Sequence, residues 1–554
     1  MEKQTVELAI EGMTCDHCAV TIQHALAVVP GVERADVSFP SRRAEIGTAG
    51  AEPHALVHAV KQAGYRASVV EPPTSQAAPP SRAPHMSSGR PPDVVVLGGG
   101  SAGFAASIHA ADLGARVTLI EGGTLGGTCV NVGCVPSKTL IRAAEVQHRA
   151  AHHVFNGVRT AAQAPDFPKV IAQKDALVAA MRQEKYRDVI TAYSNVTLRQ
   201  GHGIISGDLS VTVDGETLKP GRLIVTTGAA PWAPPIQGLA EAGYLTSTEA
   251  LALTTLPESM MVIGGSAVGL EIAQLYARLG TRVMVLEAMR ALVPAEDVEV
   301  GSGLAEYLRE EGLEVRTGVA IGRVSCHGSG YTVEATTDGR SETFTAEQLL
   351  VATGRRANTR GFGLEEAGVD LGKKGEIRVN EYLQTSRQQV YAAGDVIGDP
   401  MFVYVAGYGG SLAAENAING NARRYDLSAL PRVTFTDPQV ASVGLTEQEA
   451  RSTGVDVIVS KLPLSYVPRA QAARETRGFI KLVGDRRTNR LVGAHILATD
   501  ADEMIQEPTL AIRYGITIDD LVAAFHPYLT LSEGIKLAAQ TFTKDVKKLS
   551  CCAA

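Results

Sequence analysis

The chain has 554 residues, enough for several domains, about four at the usual domain size. Its 45% hydrophobic and 20% charged residues are the mixture of a protein that buries large cores in water. A net charge of −7 with no cluster of Lys and Arg excludes nucleic acid as the expected partner, and no run approaches the roughly 18 apolar residues that span a bilayer. The first residues, MEKQTVELAIEG, lack the apolar stretch of a signal peptide, so a cytoplasmic protein is expected.

Residues 1–70 read as one module. VELAI (6–10) alternates as a strand, and GMTCDHC (12–18) is a loop entering a helix with apolar residues at Val20, Ala25, Leu26 and Val29, ended by Pro30 and Gly31. Strands at 32–38 and 43–46, a helix over about 53–63 and a strand at 65–70 complete a βαββαβ order, which is ferredoxin-like. A C-x-x-C alone fits zinc or thioredoxin-type chemistry; behind Gly-Met-Thr and inside this frame it resembles the heavy-metal-associated domain. Two thiolates on one loop suit a soft cation such as copper(I) or mercury(II), so Cys15 and Cys18 are expected to acquire metal. Residues 71–92, EPPTSQAAPPSRAPHMSSGRPP, have no hydrophobic periodicity and read as a flexible linker that keeps the module tethered at high effective concentration.

DVVVL (93–97) is a buried parallel strand leading into GGGSAG (98–103), a G-x-G-x-x-G at the start of a helix. The next strand, 116–120, ends at Glu121, where an acid binds the ribose hydroxyls of a dinucleotide. Gly98, Gly100, Gly103 and Glu121 therefore mark a nucleotide site. GGTLGGTCVNVGCVPSK (122–138) follows, with Cys129 and Cys134 in a glycine-rich approach to a helix and Lys138 just beyond. The free N–H groups of a helix start favour thiolate, so the pair suits either dithiol–disulphide cycling or a soft metal. A helix ends near Ala151, and a second helical run contains Glu184-Lys185-Tyr186-Arg187. LIVTTG (223–228) reads as a strand ending in Thr-Gly.

The nucleotide pattern then repeats. A strand at 260–263, GGSAVG (264–269), a helix through Leu279 and a strand at 281–286 closing on Glu287 predict a second dinucleotide. LLVATGR (349–355) repeats the strand ending in Thr-Gly, and segments 479–483 and 491–497 are strands ahead of terminal helices. Three close cysteine pairs, Cys15/Cys18, Cys129/Cys134 and Cys551/Cys552, point to metal or redox chemistry in a reducing compartment. The seventh cysteine, Cys326, reads as a small apolar side chain near the start of a strand.

GGTCVNVGCVPSK resembles the redox-active segment of the flavin-dependent pyridine-nucleotide disulphide oxidoreductases, and the fused metal module, the KY pair at 185–186 and the tail narrow the resemblance to the mercuric reductases. It implies an α/β fold of two Rossmann-like dinucleotide-binding domains plus an α+β dimerisation domain, preceded by the ferredoxin-like metal-binding domain. The expected boundaries are 1–70 (metal-binding), 71–92 (linker), 93–240 and 361–428 (FAD), 241–360 (nicotinamide) and 429–554 (dimerisation, with the Cys-Cys tail). The resemblance implies FAD on Gly98, Gly100, Gly103, Glu121, Thr128, Lys138, Gly228 and Asp395, the last in TSRQQVYAAGD (385–395). The nicotinamide would lie on Gly264, Gly269, Glu287 and Arg290. By the same analogy Cys134 lies nearer the flavin, Cys129 is the exchange thiol, Lys138 favours the reduced flavin by charge, and Tyr186 approaches the metal. Mercuric reductases generally prefer NADPH; Glu287 argues for NADH, Arg290 could reach a 2′-phosphate, and NADPH is placed ahead.

In the thiol-disulphide reductases of this family, a terminal H-P-T-x-S-E supplies a proton-carrying His. Aligning TLSE (530–533) puts Tyr528 at that position, with His526 out of register as a surface or capping imidazole. A phenol with a pKa of about 10 moves protons poorly near neutrality but can offer oxygen to a metal. The terminal Cys551 and Cys552 resemble the vicinal pair of mercuric reductases, which delivers metal to Cys129 and Cys134 of the partner subunit. The expected enzyme is a homodimer that takes Hg(II)–thiol complexes, or metal from a membrane mercury transporter, through Cys15/Cys18 and Cys551/Cys552 to Cys129/Cys134 for reduction to Hg(0). Two rival readings are a dihydrolipoamide-dehydrogenase-like disulphide reductase with a fused metal-binding domain, and a metal chaperone with a vestigial flavoprotein body.

Overall fold

The computed structural model describes residues 4–11, 16–38, 43–63, 65–69, 93–328 and 330–549. The chain divides into two compact units, Met1–His85 and Met86–Ala554. Cys15, the 71–92 linker, Cys551 and Cys552 lie outside the described residues. Among the described residues no helix is long and apolar enough to cross a membrane.

The first unit runs β1 (Gln4–Glu11), α1 (Asp16–Ala27), β2 (Val32–Ser38), β3 (Arg43–Thr48), α2 (Pro53–Gln62) and β4 (Arg66–Val69). Its sheet has the order β2-β3-β1-β4, with β1 antiparallel to both β3 and β4, the ferredoxin-like arrangement. Alternation along the strands places Leu8, Ile10, Ala44 and Ile46 in one core with Ile22 and Leu26 of α1 and Leu56 and Val60 of α2. Cys18 falls on α1.

In the second unit, β5 (Val94–Leu97), α3 (Ser101–Asp112), β6 (Val117–Glu121), α4 (Gly127–Val132), α5 (Cys134–Ala151), α6 (Phe167–Arg182) and β7 (Val196–Gln200) begin a parallel sheet. All four residues of β5 are buried, as a strand covered on both faces requires. Arg222–Val225 and then Val390–Ala392 extend the sheet beyond β5, so its last strand returns from far along the chain. A second parallel sheet has the order Glu314–Thr317, Arg282–Glu287, Ser259–Ile263, Gln348–Val351, with helix Ala267–Arg278 packed on it. An antiparallel five-stranded sheet from Arg432–Thr434 to Arg490–Ala498 forms the third core. The Cys326 expectation is corrected: the residue is exposed and near the end of strand Val319–His327.

The second and third cores are tied by ions. Arg278, at the end of helix Ala267–Arg278, is 5% exposed and reaches Glu311 at 2.6 Å and Asp437 at 2.9 Å; Arg477 reaches the same two carboxylates at 3.0 Å each. Burial alone would raise both carboxyl pKa values, but the arginines hold Glu311 and Asp437 below the usual carboxylate range. Replacing one partner of such a buried set leaves charge uncompensated. Arg278→Met is expected to lower stability by about 3–5 kcal/mol, read as a lower urea midpoint at neutral pH. Because these carboxyl values are depressed on folding, the loss shrinks as pH falls through them.

Candidate active site

The two catalytic-segment cysteines sit on different helices. The sequence predicts one helix beyond the glycine approach; instead α4 carries Cys129, Gly133 breaks the backbone at φ −127° and ψ −112°, and α5 starts at Cys134. The break turns the two thiols toward each other at a helix N-terminus. Both are free and partly buried. A hydrogen bond from the Cys129 S–H brings the Cys134 thiol down to about 7, against the cost of its burial and with the help of Lys138. The same bond, with burial, holds the Cys129 thiol well above its ordinary value. Cys134 is therefore the more acidic thiol of the pair, and Cys129 the one that keeps its proton.

Lys138, one turn along α5, is fixed by two other chain segments. Its Nζ bonds Glu271 Oε2 at 2.7 Å and lies 4.4 Å from the centre of the Phe435 ring. Buried Glu271 also accepts from the Phe435 N–H at 3.0 Å. Asn131 donates to the carbonyls of Leu125 and Gly127 at 3.0 and 2.8 Å, which holds the glycine loop beneath the pair.

Tyr186 lies on a π-helical turn, Gln183–Arg187, that interrupts the α-helical run. Its ring packs 4.7 Å from that of Phe104 and against Gly126. Burial raises its pKa most, a hydrogen bond with Ser101 opposes this, and the charges of Cys129 and Cys134 raise it further. The phenol thus sits within electrostatic range of both thiols. Tyr404, unmarked in the sequence, also feels Cys134; burial pushes it up to about 12, and its hydroxyl donates to the Pro431 carbonyl at 2.5 Å.

The nucleotide cradles fit dinucleotides by their shape and donors. Gly98 has φ +103°, and a β-carbon there would lie 2.4 Å from the Thr226 carbonyl oxygen; Gly264, at φ +114°, would place one 2.5 Å from that of Ala352. Gly103 and Gly269 pack directly on the carbonyls of Gly98 and Gly264, whereas a β-carbon on Gly100 would meet nothing nearer than 3.7 Å. Neither α3 nor helix Ala267–Arg278 has a side-chain cap, so the first N–H groups are left for phosphate. Glu121 accepts from the N–H groups of Gly99 and Gly123 at 2.5 and 2.6 Å, and Glu287 repeats this with Gly265 and Met289 at 2.5 and 2.7 Å. Arg290 is exposed.

Near the first cradle, Arg355 Nε is buried without a hydrogen-bond partner, 3.8 Å from Asp395, whose carboxyl is pushed up by burial. Arg355 also donates to Thr128 Oγ1 at 3.3 Å and to the Ala229 carbonyl, and Gly228 accepts from the Asn358 N–H at 2.9 Å. A buried guanidinium N–H without a partner, beside a carboxyl pushed up by burial, is what a polar cofactor would complete. Arg355 follows the Thr353-Gly354 ending in sequence, yet nothing local signals its partners; Glu271 pairs with Lys138 across 133 positions.

The structure thus gathers Cys129, Cys134, Lys138 and Tyr186. Tyr528 is 57% exposed on a separate loop, 524–532. His526 is not the surface imidazole expected: its side chain is 5% exposed, with Nε2 2.7 Å from Glu507 Oε1. Glu507 comes from a helix that the register argument did not consider.

A low-pKa thiolate beside a fixed lysine, under one of two nucleotide cradles, defines the pyridine nucleotide-disulphide oxidoreductases. Residues 92–410 match that family and residues 430–539 its dimerisation domain, while residues 7–66 match the heavy-metal-associated domain. The fold is similar to the HOCl-induced flavoprotein disulfide reductase RclA from Escherichia coli in its Cu(II) complex, with a TM-score of 0.71 and 28% identity over 80% of this chain and 98% of that one. LpdA from Mycobacterium tuberculosis gives 0.72 and 28% over 82% and 100%. Among sequences, the mercuric reductase of Staphylococcus aureus is 41% identical over 100% of both chains, and that of Shigella flexneri 43% over 99% of both. That of Streptomyces lividans is 46% identical over 83% of this chain and 98% of its own. The chain belongs to the mercuric reductase family, whose members use FAD and NAD(P)H.

If Lys138 supports the Cys134 thiolate, alkylation of Cys134 in the reduced protein, followed by peptide mass, has a pH midpoint at about 7. Lys138→Met moves that midpoint upward. An unmoved midpoint would remove Lys138 from this role.

Proposed function

We propose that the chain reduces thiol-bound Hg(II) to Hg(0) with electrons from NAD(P)H. The observation that carries the reading is the Cys134 thiolate, hydrogen-bonded by the Cys129 thiol and backed by Lys138. FAD is held by Gly98, Gly100, Gly103, Glu121, Thr128, Lys138, Gly228 and Asp395, in segments 93–240 and 361–428. The nicotinamide is held by Gly264, Gly269 and Glu287 in 241–360, and 429–554 joins two copies in a homodimer. When bound, the two cofactors supply a net two electrons from the nicotinamide hydride, giving NAD(P)⁺, Hg(0) and one proton.

The protein's own groups do the rest. Cys15 and Cys18, in a 1–70 module tethered by 71–92, take the ion from cytoplasmic thiols or a membrane transporter. Cys551 and Cys552 pass it on by thiol exchange. Cys129, the exchange thiol, passes its proton to the departing tail thiolate as its sulphur joins the metal, and the more acidic Cys134 completes a bis-thiolate complex. A dithiol that holds Hg(II) cannot close to a disulphide, so the electrons go to the metal. Lys138 stabilises negative charge beside the pair. Tyr186, and Tyr528 from the other copy, lend phenol oxygen while the metal exchanges sulphur ligands.

Nicotinamide oxidation by the full chain should rise sharply when Hg(II) with excess thiol is added, with loss of volatile mercury, and stay slow with lipoamide or glutathione disulphide. Strong disulphide turnover would end the reading. With Hg(II) on bulky thiols, replacing Cys551 and Cys552 by Ser slows turnover; an unchanged rate would count against the relay.

Buried Glu287, with both oxygens already bonded to backbone N–H groups, favours an unphosphorylated ribose, and exposed Arg290 offers little against it. NADH is therefore preferred over the NADPH usual among mercuric reductases. Equilibrium titration should give NADH the tighter Kd, by about tenfold, and Arg290→Ala should leave both constants unchanged. Equal constants would overturn the preference.

A further inference from the structure

Helix α5 begins at the Cys134 thiol, and its far end carries two histidines that the function above leaves unused. His148 and His152 stand four positions apart, the spacing that brings two side chains to one helix face. Their rings lie 4.5 Å apart, centre to centre, with 22° between the planes. His148 is half-buried and His152 exposed, so the pair is open to an ion from solvent.

The hydrogen bonds fix which nitrogen of His152 is free. The His148 carbonyl accepts from the His152 backbone N–H at 2.9 Å, and His152 Nδ1 lies 3.2 Å from the same oxygen. A carbonyl only accepts, so Nδ1 carries the proton and Nε2 of the neutral ring keeps a bare lone pair. One nitrogen tied to a backbone carbonyl with the other open is the disposition of a metal-binding imidazole. Among the described residues the His148 ring makes no hydrogen bond. His152 closes α5 as its C-cap, where outward carbonyls and the helix dipole favour a cation. Gln147 donates to the Gln163 carbonyl at 2.6 Å and Thr160 to that of Ala150 at 2.7 Å, which braces this last turn. The charges that act on His148 from neighbouring segments are Arg278, Glu311 and Asp437, two anions against one cation. Arg149, beside it in the chain, is paired with Glu145.

We propose that His148 and His152 form a site for a borderline divalent cation, with copper(II) the best fit. Imidazole nitrogen suits copper, nickel and zinc, and copper(II) heads that order of affinity. Bonds of about 2 Å to each nitrogen are reached when the stacked rings turn about their side-chain torsions. Among the described residues no third His, Cys, Asp or Glu converges on the pair, so water completes the coordination sphere. The site is separate from the thiol route: His148 stands fourteen positions beyond Cys134, roughly 21 Å along the helix axis. Thiolates take Hg(II) in preference to imidazole, so the pair does not compete for the substrate. An ion held here ties together the last two turns of the helix whose first turn carries Cys134.

The test uses the full-length, FAD-loaded protein with its cysteines alkylated, and Cu(II) as the probe. Pulsed electron paramagnetic resonance should show copper bound by two imidazoles at one equivalent. His148→Ala and His152→Ala should each weaken binding about tenfold or more and remove the two-imidazole signal. His152→Gln keeps a side-chain donor for the His148 carbonyl but offers no imidazole, so it should behave as His152→Ala with its flavin absorbance retained. The signal should survive in the double variant His54→Ala, His58→Ala, the pair at the same spacing on α2. A two-imidazole signal that persists in His148→Ala and His152→Ala overturns the site. Its loss in the His54, His58 double variant, or its absence from the unsubstituted chain, does so equally.

Discussion

The acidity of the partly buried Cys134 thiol is the constraint on which the site depends. Removing a thiolate from water is costly, and the protein offsets that cost with three donors: the Cys129 S–H, the open end of α5 and the Lys138 ammonium. Lys138 in turn is held by Glu271 from the second nucleotide fold and by the ring of Phe435, which directly follows the first strand of the antiparallel sheet. The charge on one sulphur therefore rests on three segments being packed together. The ion network of Arg278, Glu311, Asp437 and Arg477, which ties the same two cores, is part of that support although it touches neither thiol.

Features whose physics is local were legible in the residues. The glycine turns and the acids at Glu121 and Glu287 follow from what a strand, a tight turn and a helix start require, and both acids end on the two backbone N–H groups that such a turn presents. The βαββαβ order of the first unit was readable for the same reason, since alternation and helix stops are local signals. The split of the cysteine helix was not, because Gly133 is one of several glycines in the approach to the helix and its sequence position does not mark it as the break between two helices. Nor were the pairs Lys138–Glu271 and Arg355–Asp395, whose partners meet only in the folded chain. Cys326 misled because a small apolar side chain says little about which face of a strand is covered.

His526 shows how register alone can mislead and still carry information. Spacing against a thiol-disulphide reductase motif leaves it two places out, which correctly removes it from the acid–base position. It does not follow that the imidazole is idle: Glu507 lies ready for it nineteen positions earlier, and both ring nitrogens are engaged.

That engagement bears on substrate choice. Exchange between a dithiol and a disulphide needs a base near neutrality that can take up and return a proton at the leaving sulphur. On this loop the imidazole is 5% exposed and both its nitrogens face acceptors, while the outward side chain is the phenol of Tyr528. A phenol, whose ordinary pKa is about 10, moves protons poorly near neutrality, which suits a metal changing sulphur ligands better than a sulphur seeking a proton. Mercuric ion leaves its thiolates by ligand exchange, with no proton required at the metal. An imidazole held between two acceptors makes this loop a poor proton carrier, which is compatible with a thiophilic cation as substrate.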